Sequence, residues 1–226
     1  MKRFAVALIL TSVLFSLNAQ AGVVIGGTRV IYDGGKKETS VSVSNPGKYG
    51  AYLVQSWVDA GDAGRKAPFI VTPPLFRIAP DAENILRIVR TGGDLPTDRE
   101  SVYWLNVKAI PAVDDNGQPR TNVLQVVVKS RLKLFYRPEG LKGQPAEAYQ
   151  HLQFSRNGRT LSIANPTPYF VTLFTLKANG QEIKEADLVP PKGSVTFALP
   201  SAAPQTITWQ AINDYGGISP AENRKI

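Results

Sequence analysis

The run from Val123 to Pro138 constrains this chain more than any other stretch. It is rich in β-branched and aromatic residues, free of glycine, and closed by a proline that cannot donate to a ladder, so it predicts one long β-strand over Val123–Arg137. Alternation puts Leu124, Val126, Val128, Leu132, Leu134 and Tyr136 on one face. The other face carries Val123, Gln125, Val127, Lys129, Arg131, Lys133 and Phe135, apolar at its ends and basic in the middle. Such a strand outruns the usual strand of about five or six residues. It must either project past its own sheet or offer a face to a partner, because an unpaired apolar strand is an aggregation hazard.

The chain opens with Lys2 and Arg3, an apolar run from Phe4 to Leu17, and the small-x-small sequence Ala19-Gln20-Ala21. That pattern is a secretory signal peptide cut after Ala21, which predicts export and a mature start at Gly22. Read as a retained anchor, the apolar run would form a helix of about 21 Å, short of a hydrocarbon core of roughly 30 Å. There is no cysteine, which excludes thiol catalysis, cysteine-bound metal and disulfide bracing despite an exported context. The formal charge of +8 is scattered in short runs such as Lys36-Lys37, with no basic tail and no repeated basic-aromatic pattern. Nucleic-acid binding is therefore not expected.

Alternating or β-branched runs recur at Val23–Tyr32, Thr39–Ser44, Ala51–Asp59, Ile85–Val89 and Ser101–Ile110, separated by glycine, proline and asparagine turns. Trp57 sits where an immunoglobulin-type sheet keeps its core tryptophan. The Pro/Gly-rich segment from Pro138 to Pro145 reads as a hinge. Beyond it come shorter strands, with Asn157-Gly158 and Asn179-Gly180 as hairpin turns. The predicted fold class is all-β: two β-sandwich domains, 22–140 with the long strand and 141–226.

Few residues of the chain point to chemistry. His151 is the only histidine, no serine lies in a G-x-S-x-G turn, and Asp114-Asp115-Asn116-Gly117 lacks the later ligands of a calcium loop. No enzyme, cofactor or metal site is expected. Charged residues within or at the start of strands are more informative: Arg29, Arg87 between Leu86 and Ile88, and Glu100 before Ser101. Each taken alone reads as a solvent-facing alternation position.

Together these residues resemble the PapD-like periplasmic pilus-assembly chaperones. The segment from Leu95 to Pro111, with its Leu95-Pro96-Thr97-Asp98-Arg99-Glu100-Ser101 opening and closing Ile110-Pro111, follows the family signature. So do Thr28–Tyr32, Thr72–Arg77, Leu132–Pro138, Asn165–Val171 and Ile212–Gly217, in order along the mature chain. The resemblance implies a boomerang of two immunoglobulin-like domains. It implies that Arg29 and Lys133 grip the C-terminal carboxylate of a pilus subunit, and that Leu124, Val126 and Val128 are lent as a donor strand. It also implies an interdomain ion cluster of Arg87, Glu100 and Asp214, and the subgroup with a short connection between Pro111 and Val123. The expected partners are pilus subunits and an outer-membrane usher, and the exposed strand makes self-association of the free form a further expectation. The rival reading is a structural pilin or adhesin sandwich, which would carry its own donor extension ahead of a first strand that here begins near Gly22.

One difficulty follows from alternation. Lys133 falls on the face opposite Leu124, Val126 and Val128, so either a bulge near Lys129–Arg131 resets the parity or strand twist lets both serve one partner. Without the resemblance, the three apolar residues would read simply as core.

Overall fold

The structure is a computed structural model describing residues 22–48, 50–61, 66–112, 125–199 and 206–226. Residues 1–21, expected to be a signal peptide, together with Asp114-Asp115-Asn116-Gly117, Leu124 and most of the connection after Pro111, lie outside these described residues.

The first half forms β1 (Val24–Ile25), β2 (Arg29–Asp33), β3 (Glu38–Asn45), β4 (Tyr52–Asp59), β5 (Phe69–Thr72), β6 (Leu75–Ile78), β7 (Ala82–Arg90), β8 (Ser101–Pro111) and β9 (Val128–Arg137). One sheet has the order β1-β3-β7-β5 and the other β2-β9-β8-β4-β6. Their inward faces supply one core, with Val41, Val43, Leu86 and Ile88 from the first meeting Val54, Leu105, Val107 and Leu134 from the second. Each such side chain contributes about 1.5–3 kcal/mol of burial. Cross-sheet packing therefore holds the two layers face to face.

Two expectations change here. The run Val23–Tyr32 is not a single strand: β1 pairs with β3 in one sheet and β2 with β9 in the other. The break falls at Gly26-Gly27, where the Gly26 N–H bonds to the Ser42 carbonyl and Gly27 takes φ +104, a left-handed conformation that a side chain would oppose. Trp57 is not a core residue. It lies on the outer face of its sheet beneath Lys129, whose Nζ is 5.1 Å from the ring centroid, because the neighbouring positions Val54 and Ser56 take the inward side.

After a 3-10 helix at Pro145–His151, the second half forms β10 (Gln153–Asn157), β11 (Thr160–Asn165), β12 (Val171–Ala178), β13 (Gln181–Glu182), β14 (Leu188–Val189), β15 (Gly193–Ala198), β16 (Thr206–Ile212) and β17 (Glu222–Lys225). The sheet β10-β11-β15 packs on β13-β12-β16-β17, with β14 also on β12. The core centres on Trp209, Leu161, Ile163, Leu176 and Ile207, and Trp209 donates its indole N–H to the Tyr149 carbonyl at 2.9 Å. Asn179 and Gly180 both have positive φ, as a two-residue hairpin loop requires. Among the described residues no helix is long and apolar enough to cross a membrane.

Candidate functional site

The strand β9 is shorter at its start than the sequence suggests. Pairing with β8 begins at Val128↔Ala109 and runs without a register break to Tyr136↔Ser101, while 125–127 are outside any strand. There is thus no bulge between Val128 and Lys133. Val128, Leu132 and Leu134 share the inward face, and Lys129, Arg131 and Lys133 the outward one.

The other edge of β9 is only half covered. The parallel neighbour β2 begins with Arg29 opposite Lys133 and ends with Asp33 opposite Arg137. From Val128 to Leu132 that edge has no strand beside it among the described residues. Val126, Val127 and Val128 are 63%, 43% and 55% exposed, so they are not core. Leu132, by contrast, is buried.

Where the open edge stops, two cations stand side by side. Arg29 donates through Nη1 to the Ile212 carbonyl at 3.0 Å, which ties the start of β2 to the second sandwich. Its Nε is buried without a partner among the described residues. Burial lowers the pKa of this guanidinium, opposed by the negative charges of Asp214 and Asp187. Lys133 contacts the Asp187 carboxylate at 2.6 Å, with side chains 22% and 63% exposed respectively. The two cations therefore sit in a partly dry cleft between the sandwiches, a place where hydrogen bonds to an anion gain strength.

The anchor of this cleft differs from the expected ion cluster in its cation. Arg137 reaches Glu100 at 2.6 Å and clasps both oxygens of Asp214 at 2.7 and 3.0 Å. Arg87 takes no part. It lies on β7 between buried Leu86 and Ile88, opposite Ser40 and Thr72, and so points to solvent from the other sheet. Arg137 escaped the sequence reading although a signal was present: it shares the outward face of β9 with Lys133 and directly precedes the hinge.

Glu100 is almost fully buried and joins the halves twice more. Its N–H donates to the Pro168 carbonyl at 2.9 Å, and its Oε2 accepts from the Phe170 N–H at 2.7 Å. Burial raises its pKa above the ordinary carboxylate value; the charge of Arg137 and the Phe170 hydrogen bond offset this only in part. Burial alone would lower the Arg137 guanidinium, but the Asp214 hydrogen bonds and the charge of Glu100 hold it above its ordinary value. Phe135 packs on Phe170 with centroids 5.6 Å apart, and Asp98 meets Lys192 of the second half at 2.7 Å.

Known proteins are similar to this chain in sequence and fold. Residues 22–142 match the family described as pili and flagellar-assembly chaperone, PapD N-terminal domain, and residues 147–223 match the pili assembly chaperone PapD, C-terminal domain. The probable fimbrial chaperone LpfB of Escherichia coli O157:H7 is 48% identical over 218 residues, 96% of this chain and 94% of that protein. Among solved structures, a chain of the Salmonella enterica SafA pilin–SafB chaperone complex superposes with a TM-score of 0.82 and 39% identity, covering 91% of this chain and 96% of that one. The periplasmic chaperone SfaE gives 0.78 and 40%, covering 91% and 100%.

Proposed function

The chain belongs to the PapD-like family of pili assembly chaperones, built from two immunoglobulin-like β-sandwiches, and we propose that it lends the β9 edge to a pilus subunit whose own sandwich lacks a strand. The function is that of a pilus-assembly chaperone and not of a structural pilin. Its family is one of chaperones, not an enzyme class, and no catalysis is inferred. The signal peptide is cut after Ala21, the mature domains are 22–140 and 141–226, and the protein works in the periplasm before passing its client to an outer-membrane usher.

A single observation carries the reading: the uncovered edge of β9 ends at the Arg29–Lys133 pair. A client strand added there would lie in line with β2, in the plane of the sheet. This also removes the parity difficulty, because an edge-on partner needs no single face of β9. The cations choose its direction. A strand running parallel to β9 would finish at Lys133 and present its C-terminal carboxylate to the two cations, whereas an antiparallel one would bring an ammonium group there. The exposed side chains of Val126 and Val128, continued by Leu124 beyond the described residues, would then fill the client's groove. Burying three such side chains contributes on the order of 5–8 kcal/mol before ordering costs.

The test is co-expression with a pilus subunit and capture from the periplasm. Wild type is expected to bring the subunit down. Val126→Glu is expected to weaken capture at least tenfold, since a carboxylate would enter an apolar groove, while its circular dichroism stays unchanged. Unaltered affinity in that variant would refute the placement of Val126 in the client. In the free form, the same exposed valines favour self-association, which dilution in sedimentation experiments would reverse.

A further inference from the structure

Asp187 stands beside Lys133 in the cleft. It lies just before β14, and its backbone is fixed from both sides: its carbonyl accepts from the Leu173 N–H at 2.6 Å, and Leu188 beside it pairs with Thr172 of β12. Immediately after Leu173 the strand bulges at Phe174, breaking the register with β16. Such bulges commonly re-aim chain segments at functional edges. The outcome is a carboxylate set on the Lys133 ammonium at 2.6 Å, with Arg29 close enough to feel its charge. Arg29 itself keeps a buried Nε with no acceptor among the described residues. One cation is thus occupied by a carboxylate of this chain, and the other retains an unused donor.

Resting on the cleft reading above, we infer that Asp187 is an affinity-setting placeholder: its carboxylate occupies Lys133 in the empty cleft and must be displaced by the C-terminal carboxylate of the client. An internal pair whose acid is largely in water is held weakly, so the displacement is easy. It nevertheless lowers the affinity of every carboxylate ligand by a fixed factor, and it also prevents small anions from settling on Lys133. Two negative groups cannot share that ammonium without mutual repulsion. Release of the client at a later stage is helped by the same residue, because Asp187 is ready to reoccupy the cation.

The experiment uses the full mature protein and a fluorophore-labelled dodecapeptide of alternating valine and threonine, prepared with a free C-terminal carboxylate and as its amide. Asp187→Asn is expected to tighten binding of the acid about three- to fivefold and to leave the amide unchanged. The gain for the acid should shrink at high salt and vanish in a Lys133→Ala background. Equal affinity of Asp187→Asn and wild type for the acid, with Lys133→Ala still losing it, would overturn the placeholder and leave the cleft reading standing. An equal gain for acid and amide would also overturn it, since the effect would then be steric. Normal binding of the acid by Lys133→Ala would overturn the cleft reading itself.

Discussion

Lys133→Ala is expected to lower the affinity for a pilus subunit by roughly 10- to 100-fold while leaving the fold intact. The loss follows from deleting one charge-assisted hydrogen bond to the client carboxylate, worth about 1.5–3 kcal/mol, at about 1.4 kcal/mol per tenfold. The intact fold follows from the surroundings of Lys133. Its ion-pair partner among the described residues, the Asp187 carboxylate, is 63% exposed and stays hydrated when the ammonium is gone. The Lys133 backbone keeps its places beside Arg29 and Trp104. Thermal unfolding should therefore shift by no more than about 0.5 kcal/mol.

Arg29→Ala should cost similar affinity but is the less clean variant, because it also removes the bond to the Ile212 carbonyl that ties the two sandwiches. A control separates charge from shape. A client amidated at its C-terminus gives up both cations, so it should lose at least as much affinity toward wild type as the acid loses toward Lys133→Ala, and Lys133→Ala should cost little against the amide. Subunit co-purifying in normal yield with Lys133→Ala would end the carboxylate-grip reading. The exposed valines alone would then have to account for capture.

Much of the architecture could be read in advance because its causes are local. Alternation and turn residues announce an all-β chain, and Asn179-Gly180 announces a hairpin because both residues must take positive φ. The in-register pairing of Arg29 with Lys133 joins two segments 104 positions apart in a parallel ladder, and no local rule predicts it. The split of Val23–Tyr32 between two sheets was signalled by Gly26-Gly27, yet a sheet switch and a mere irregularity look alike until the neighbours of each piece are known. Trp57 went to the outer face for a related reason: alternation separates two faces without saying which is inside, and Val54 and Ser56 took the inside.

Arg87 and Arg137 show the limit most clearly. Both are arginines in strands, and both sit beside apolar neighbours. Buried Leu86 and Ile88 force Arg87 outward on the sheet that does not carry β9. Arg137 is on the strand that leads into that sandwich, where Asp214, 77 positions later, meets it. Asp187 gave no sequence signal at all, since its backbone is set by tertiary bonds to Leu173.

Arg137→Ala should cost about 3–5 kcal/mol of stability, because it strands a buried carboxylate. Glu100 has a side chain only 2% exposed, and Arg137 is its cationic partner among the described residues. The unfolding midpoint should fall on the order of 10 °C. Asp214, 31% exposed, can recover water when the guanidinium leaves; Glu100 cannot. Glu100→Gln should be milder, since an amide oxygen still accepts from the Phe170 N–H. The double variant should consequently be more stable than Arg137→Ala alone.

Acidity supplies an independent measure. Burial makes Glu100 hold its proton more tightly in the native fold than in the unfolded chain. Its ionised form is thus a cost to stability that is absent below the unfolded-state pKa and appears as pH rises through the higher native value. Removing Arg137 raises the native value further and widens that window toward neutrality. The stability deficit of Arg137→Ala against wild type should therefore shrink as pH falls from about 7.5 to about 5. Asp59 and Asp98, whose pKa values are lowered by hydrogen bonds and neighbouring cations, lose stability on acidification in the opposite sense, but they do so in both proteins and cancel in the difference. A deficit that stays constant across this range, or a double variant no better than Arg137→Ala, would mean that the arginine acts through packing on Tyr169, 5.3 Å from its ring centroid, and not through the charge of Glu100.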